Sequence, residues 1–241
     1  MNIFLTWGRT LLGYFLLVFV AIFFFLPAVI LSLILPADKR HHSTTFFWLF
    51  DKVYKGIVWC MFVPVTIKGK ENIPTEPAIF AANHESVLDI PLMGSLLNGH
   101  PHVWFVLARF AKTPFLGTIV RRMFIPVDQD CSMQSARALI QGIRIIKEQA
   151  LHTIIFPEGG RFNDGTVHDF FGGFAVLAEK TGRPVVPVML FNVGKIYPPG
   201  SFLVHYYPVT VIIGQPMIKQ PDETAEAFSA RVHHWFKAHT Q

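Results

Sequence analysis

The chain has 241 residues, 51% of them hydrophobic and only 15% charged, with a formal net charge of +5 and a mean hydropathy of +0.40. This length fits one domain of ordinary size plus a small extra element, and the composition lies between a soluble enzyme and a multi-span membrane protein. No Arg/Lys-rich tract or aromatic RNA-binding signature is present, so a nucleic-acid partner is excluded and the basic balance points to anionic lipid or phosphorylated substrates.

The first element is apolar. From Thr10 to Ala37 no residue is charged. That exceeds the roughly 20 residues needed to cross hydrocarbon and the apolar part of a signal peptide, about 7–15 residues. A membrane-embedded segment is expected, either one tilted span or a re-entrant pair broken at Pro27. After the basic patch Lys39-Arg40-His41-His42 comes a second apolar stretch, with Phe46, Phe47, Trp48, Leu49, Phe50, Ile57, Val58, Trp59, Met61 and Phe62. Asp51, Lys52 and Lys55 interrupt it, which favours an interfacial helix with its aromatics at headgroup depth. Lys39, Arg40, Lys52, Lys55, Lys68 and Lys70 outnumber Arg9 across the first segment. The positive-inside rule then places the rest of the chain on the cytoplasmic side of a cell inner membrane. Residues 1–63 are read as membrane-anchoring helices and 64–241 as the catalytic domain.

Beyond residue 64 short apolar runs alternate with helical patterns, the signature of an α/β domain. Strands are expected at 78–82, 103–107, 124–127, 153–156, 185–190, 202–206 and 209–213. A helix over 132–149 places Ala136, Leu139, Ile140, Ile143 and Ile146 on one face. Another over 171–181 ends at Gly182, which suits a left-handed cap, and a last helix covers 222–239. Cys60 and Cys131 form no CxxC pair, and His41-His42 and His233-His234 lack further ligands at metal spacing, so no metal site is expected.

Two segments carry chemistry. In Asn83-His84-Glu85-Ser86-Val87-Leu88-Asp89 an apolar strand ends in a histidine, with an aspartate five residues later and Pro91 just beyond. Strand ends are where α/β proteins expose reactive groups. Residues five apart do not share a helix face, so the two side chains meet only if His84 lies in the loop and Asp89 at a helix start. The alternative is that Asp89 merely caps that helix. A histidine can take the proton of an alcohol as the alcohol attacks, and a carboxylate on its other nitrogen fixes the tautomer. In Phe156-Pro157-Glu158-Gly159-Gly160-Arg161 a second strand ends in a loop whose glycines let backbone N–H groups approach a phosphate or oxyanion. Arg161 offers a planar fork for phosphate; a plain turn with surface charges is the alternative.

Taken in this order, about 70 residues apart, the two segments resemble the motifs of the glycerolipid acyltransferase family, whose best-known members are 1-acyl-glycerol-3-phosphate acyltransferases. The family's NHxxxxD is matched by Asn83, His84 and Asp89. Its FPEGTR followed by Ser is matched by Phe156, Pro157, Glu158, Gly159 and Arg161, with Gly160 in place of Thr and Phe162 in place of Ser. A short apolar stretch with proline is matched by Val185-Val186-Pro187-Val188. The resemblance covers roughly residues 65–216. It departs at Met123–Gln129, where Gln129 stands for the usual Arg; Lys112, Arg121 and Arg122 are the nearby cations.

The resemblance implies a mixed central β-sheet flanked by helices. It implies that His84 deprotonates the acceptor hydroxyl, that Asp89 orients it, and that Asn83, Lys112, Arg122, Glu158, Gly159, Gly160 and Arg161 bind substrate. Acyl-CoA or acyl carrier protein would be the donor and a lysophospholipid in the bilayer the acceptor, with no metal or bound cofactor. Another lyso-lipid acceptor, or a non-catalytic lipid-binding protein on the same scaffold, are the competing readings. A hydrolase would need a G-x-S-x-G elbow, and the sequence has none.

Overall fold

The computed structural model describes residues 3–128 and 131–240. The apolar start is one helical run. Helix α1 (Ile3–Val20), a π-helical turn over Ala21–Phe25 and α2 (Leu26–Ile34) follow without a gap, and Val20 and Leu26 at the junctions both keep right-handed helical angles. Pro27 therefore does not split the segment into a re-entrant pair. The α-helical register restarts at Leu26, which puts Pro27 in a first turn where a missing N–H costs nothing. By length and composition Ile3–Ile34 can cross a membrane. One face buries Thr6, Thr10, Gly13, Ala28, Val29 and Ser32, while Phe4, Leu11, Phe15, Phe19, Phe23 and Leu33 face outward.

Helix α3 (Thr44–Cys60) starts at Ser43, whose side chain accepts a hydrogen bond from the Phe46 N–H. Phe46, Phe47, Phe50, Val53 and Tyr54 recur at helical spacing and are buried. These aromatics pack inside the protein and do not form an outward interfacial face, whereas Trp48 and Trp59 stay exposed. The interrupting charges are accommodated rather than excluded: buried Asp51 is paired with Lys55 at 2.9 Å. The buried face meets α4 (Asp89–Leu96), where Gly94 lets the Tyr54 ring approach so closely that a Cβ would lie 2.4 Å from it.

The described residues form a seven-stranded mixed sheet. Its strands are β1 (Val65–Lys68), β2 (Ile79–Ala82), β3 (His102–Leu107), β4 (Ile125–Val127), β5 (His152–Ile155), β6 (Val185–Phe191) and β7 (Val209–Ile213), in the order β1-β7-β6-β2-β5-β3-β4. Neighbours run parallel except β6 and β7. Strand β1 carries little apolar signal because most of it is exposed. Residues 202–206, expected as a strand, are not one. Their backbone polar groups are satisfied elsewhere: Tyr14 Oη donates to Phe202 O (2.7 Å), Val204 N to Thr10 Oγ1 (3.0 Å) and His205 N to Ile196 O (2.8 Å).

The remaining helices are α5 (Leu116–Met123), α6 (Ser132–Glu148), α7 (Gly173–Thr181), the single turn α8 (Val193–Ile196) and α9 (Ala225–His239). The buried face of α6 is rotated from the expected one: Ala138, Gly142 and Ile146 are buried, and Ala136 and Ile140 are exposed. Gly142 explains the shift, because the Phe105 ring packs where its Cβ would be. Gly182 caps α7 in the left-handed conformation, as expected.

What matters for function is that β2 and β5 are parallel neighbours, with Ala81 beside Ile155. The loops after them leave the same sheet edge side by side.

Two buried histidines lie in the sheet. His102 Nε2 meets Tyr54 Oη at 3.1 Å, and the Trp104 N–H donates to that oxygen at 2.9 Å. The Ala78 N–H donates to His152 Nδ1. Burial pushes both imidazoles down to about 4 from 6.5. The unfolded chain binds these protons below about pH 6.5 and the folded chain only near pH 4, so folding stability is whole above about 6.5 and falls as pH drops through that window. Thermal midpoints in detergent are expected to fall steadily from pH 7 to pH 4, and His102→Gln or His152→Gln to flatten the decline.

Candidate active site

Strand β2 delivers Asn83, His84 and Glu85 to the sheet edge, and α4 begins at Asp89. The buried Asp89 carboxylate organises the loop between. Its Oδ2 accepts from His84 Nδ1, Glu85 N and Ser86 N, each at 2.7 Å. Two of these donors are backbone groups that would otherwise be unsatisfied, as in a helix cap. The same oxygen therefore caps the loop's backbone and meets the His84 imidazole. The Asp89 side chain is 0% exposed and that of His84 11%.

A carboxylate only accepts, so His84 carries its proton on Nδ1 and its Nε2 lone pair is free. Arg161 Nε, which only donates, points at that lone pair from 3.3 Å. The imidazole is thus held in the tautomer a general base needs. The Phe156 ring, the last residue before the second motif's proline, stacks under it at 3.9 Å and 7°.

Glu158 joins the two motif loops. Its Oε1 accepts from His84 N and its Oε2 from His168 N, both at 2.9 Å, and Phe162 N donates to His84 O at 2.8 Å. Burial pushes the Glu158 carboxyl up, while these N–H groups pull it back down. Burial likewise lowers the Arg161 guanidinium, and nearby Arg109 adds to that.

The sequence-predicted residues therefore separate into groups. His84, Asp89, Glu158 and Arg161 come together, with Gly159 at φ +68° and Gly160 in the turn between the last two. The Glu158 carboxylate faces backbone N–H groups, so it shapes the site and is not aimed at an acceptor. Asn83 is likewise turned inward, bonded both ways to Leu190 of β6. Arg122 does not join the site. It donates to the Ser32, Leu33 and Leu35 carbonyls at the end of α2, orphaned helix groups that a cation satisfies well. Lys112 is exposed on the turn after β3. Gln129 lies outside the described residues. Arg109, just past the end of β3, was not singled out; its position at a strand end was the available signal. Among the described residues no three of His, Cys, Asp and Glu stand close enough to hold a metal ion.

A histidine–carboxylate pair thus stands at the C-terminal edge of a mixed α/β sheet, with Arg161 on the open imidazole nitrogen. The acyltransferase family model matches residues 64–190, and the chain belongs to that family. It is 31% identical over 183 residues to the chloroplastic 1-acyl-sn-glycerol-3-phosphate acyltransferase BAT2 of Brassica napus, covering 74% of this chain and 51% of that one. To the 1-acyl-sn-glycerol-3-phosphate acyltransferase of Borreliella burgdorferi it is 28% identical over 142 residues, 58% of this chain and 56% of that one. The chain spans about half the length of the curated relatives it matches. The crystal structure of the 1-acyl-sn-glycerophosphate acyltransferase of Thermotoga maritima superposes with a TM-score of 0.79 at 26% identity, covering 100% of this chain and 97% of that one.

Glu158→Gln tests the join between the loops. A glutamine offers one oxygen where two N–H groups need acceptors, leaving one buried donor unpaired. The variant is expected to lose about 1–3 kcal/mol of stability in denaturant titrations, with faster amide exchange at His84 or His168.

Proposed function

We propose that the protein transfers a fatty acyl chain from an acyl thioester, acyl-CoA or acyl carrier protein, to the sn-2 hydroxyl of 1-acyl-glycerol-3-phosphate, forming phosphatidic acid. The observation that carries this reading is the His84–Asp89 dyad with its Nε2 lone pair facing the Arg161 guanidinium. The acyltransferase names of the relatives and of the Thermotoga maritima protein support it.

The chemistry follows from the geometry. With the acceptor hydroxyl where Arg161 now meets Nε2, His84 takes its proton as the oxygen attacks the thioester carbonyl. The carbonyl oxygen gains the negative charge as the new bond forms. The C–S bond then breaks and the imidazolium returns its proton to the leaving thiolate. Asp89 stabilises the imidazolium without becoming protonated. Arg161 and Arg109 supply charge for the acceptor's phosphate, Arg161 through a fork suited to bidentate contact. No bound cofactor takes part.

The proposed acceptor is a membrane lipid, and the join between the apolar helix and the body supports that reading. The run Ile3–Ile34 touches the body from Thr10, bonded to Val204, to Ser32, bonded to Arg122. A helix fastened along its length carries the body with it, so its outward apolar face sets the depth of the site at the membrane surface. The excess of basic residues after the helix favours the cytoplasmic face of an inner membrane. A second reading, transfer to a lyso-lipid with another headgroup, is favoured by the diversion of Arg122 to α2.

His84→Ala is expected to lower acyl transfer by about 10²–10⁴, measured as phosphatidic acid formed in vesicles, and to lower the thermal midpoint because the buried Asp89 carboxylate loses one donor. Arg161→Ala should raise KM for lysophosphatidic acid more than for an uncharged lyso-lipid. Full transfer by the His84→Ala protein would overturn the mechanism, and equal loss on both acceptors would favour the second reading.

A further inference from the structure

We propose that Glu85, which the mechanism does not use, is a positioning residue that ties the catalytic loop to the turn α8 and, through the strap that follows it, to the apolar helix α1. This rests on the acyl-transfer reading for its kinetic consequences, but the tether itself is a matter of geometry.

Glu85 follows the catalytic His84 directly, yet its side chain is not exposed; Oε2 accepts a hydrogen bond from the Gly194 N–H at 3.1 Å. The contact needs a glycine. A Cβ on residue 194 would lie 2.3 Å from Asn163 Oδ1 and 3.2 Å from the Glu85 Cβ. Ser86, the next residue, adds a longer contact from Oγ to the Tyr197 carbonyl at 3.5 Å. Two successive residues of the loop therefore hold the same turn.

The turn is bound on its other side. The Ile196 carbonyl accepts from His205 N at 2.8 Å. The strap between, residues 197–207, lies on α1 through Tyr14 Oη to Phe202 O at 2.7 Å and Val204 N to Thr10 Oγ1 at 3.0 Å. The Trp7 and Phe202 rings meet edge to face at 5.2 Å, and Arg9 sits over the Tyr206 ring at 5.0 Å. A continuous set of contacts thus runs from the helix that meets lipid to the residue beside the base. Displacing α1 relative to the body pulls on the loop that sets where the His84 ring points, and small displacements of a base are costly in rate.

The tether is ionisable. Burial pushes the Glu85 carboxyl up to about 7, against the Gly194 hydrogen bond and nearby Lys195, with Asp89 and Glu158 adding to the rise. A carboxylate is a stronger acceptor than a carboxylic acid, so the tether tightens as pH rises through neutrality.

The experiment uses the full chain in phosphatidylglycerol vesicles, with lysophosphatidic acid and acyl-CoA, comparing wild type, Glu85→Ala and Glu85→Gln. Glu85→Ala is expected to lose about tenfold in kcat with little change in acceptor KM. Glutamine still offers an oxygen to Gly194 and should recover most of the loss. Hydrogen–deuterium exchange should rise together in residues 84–89 and 193–207 of Glu85→Ala. In wild type the protection of 193–207 should increase as pH rises through neutrality, and in Glu85→Gln that increase should vanish. Exchange in 193–207 that does not respond in Glu85→Ala overturns the proposal, as does protection in Glu85→Gln that keeps its rise through neutrality. If Glu85→Ala fails to fold, the Glu85→Gln protection alone decides. Coupled exchange in a wild type that transfers no acyl chain would overturn the proposed function and leave the tether standing.

Discussion

A single buried oxygen, Asp89 Oδ2, is the point on which the site depends. A carboxylate removed from water must be matched by donors or it will take up a proton. Here the match comes from two consecutive backbone N–H groups and one imidazole, all at 2.7 Å. The backbone donors are available only if residues 84–88 wrap around the head of α4. The loop's shape and the histidine's tautomer therefore follow from one requirement. An amide oxygen at the same position could meet the same three donors, but without the negative charge that strengthens each bond.

Three carboxylates, Glu85, Asp89 and Glu158, surround one histidine in a protein proposed to handle an anionic lipid. The apparent conflict disappears once their partners are considered. Each accepts backbone N–H groups: Gly194 for Glu85, Glu85 and Ser86 for Asp89, His84 and His168 for Glu158. Their charge is directed at the protein's own main chain, while Arg161, which donates to the imidazole, and its neighbour Arg109 stay exposed. Negative charge builds the frame and positive charge is left outside it. The two departures in the second motif fit the same frame. Gly160 stands where a Cβ would be 3.1 Å from the Phe162 ring, and that ring stacks on His168 at 3.7 Å. The smaller residue makes room for the larger, which in turn packs on a residue held by Glu158.

The α/β class, six of the seven strands and the meeting of His84 with Asp89 were legible because apolar runs ending in polar loops leave a strong local trace. What was illegible was non-local. Strand β1 reads Val-Thr-Ile-Lys at an exposed edge and has no buried run to announce it. Residues 202–206 alternate like a strand, but their backbone partners are Tyr14 and Thr10, almost two hundred residues away. Arg122 looked like a spare cation because no sequence pattern reveals that α2 ends in carbonyls within its reach. The helix 44–60 looked interfacial because its charges were counted as exposed, whereas Asp51 is buried and paired. In the motifs, residue type and spacing predicted the contact between His84 and Asp89. For Asn83 and Glu158 it predicted ligand contact where the side chains serve the backbone.

The relation between the apolar helix and the body gives these local facts their consequence. A helix that merely anchored a soluble enzyme would need few contacts with it and could swing on a linker. Here Gly13 lies so close to the Cys60 carbonyl that a Cβ would meet it at 2.8 Å, and Val20 packs on Gly56 in the same way. Those glycine contacts, with the tyrosine and threonine that grip the strap, leave no flexible joint between them along the described helix. A rigid join fixes the height of His84 relative to the outward Phe and Leu side chains of α1 and α2. Under the proposed acyl transfer, a lipid acceptor's hydroxyl would lie at a defined depth in the interface, and a base held at fixed height would meet it there. The cost of moving an acyl chain out of the bilayer, about 0.8 kcal/mol for each methylene exposed, would then be avoided.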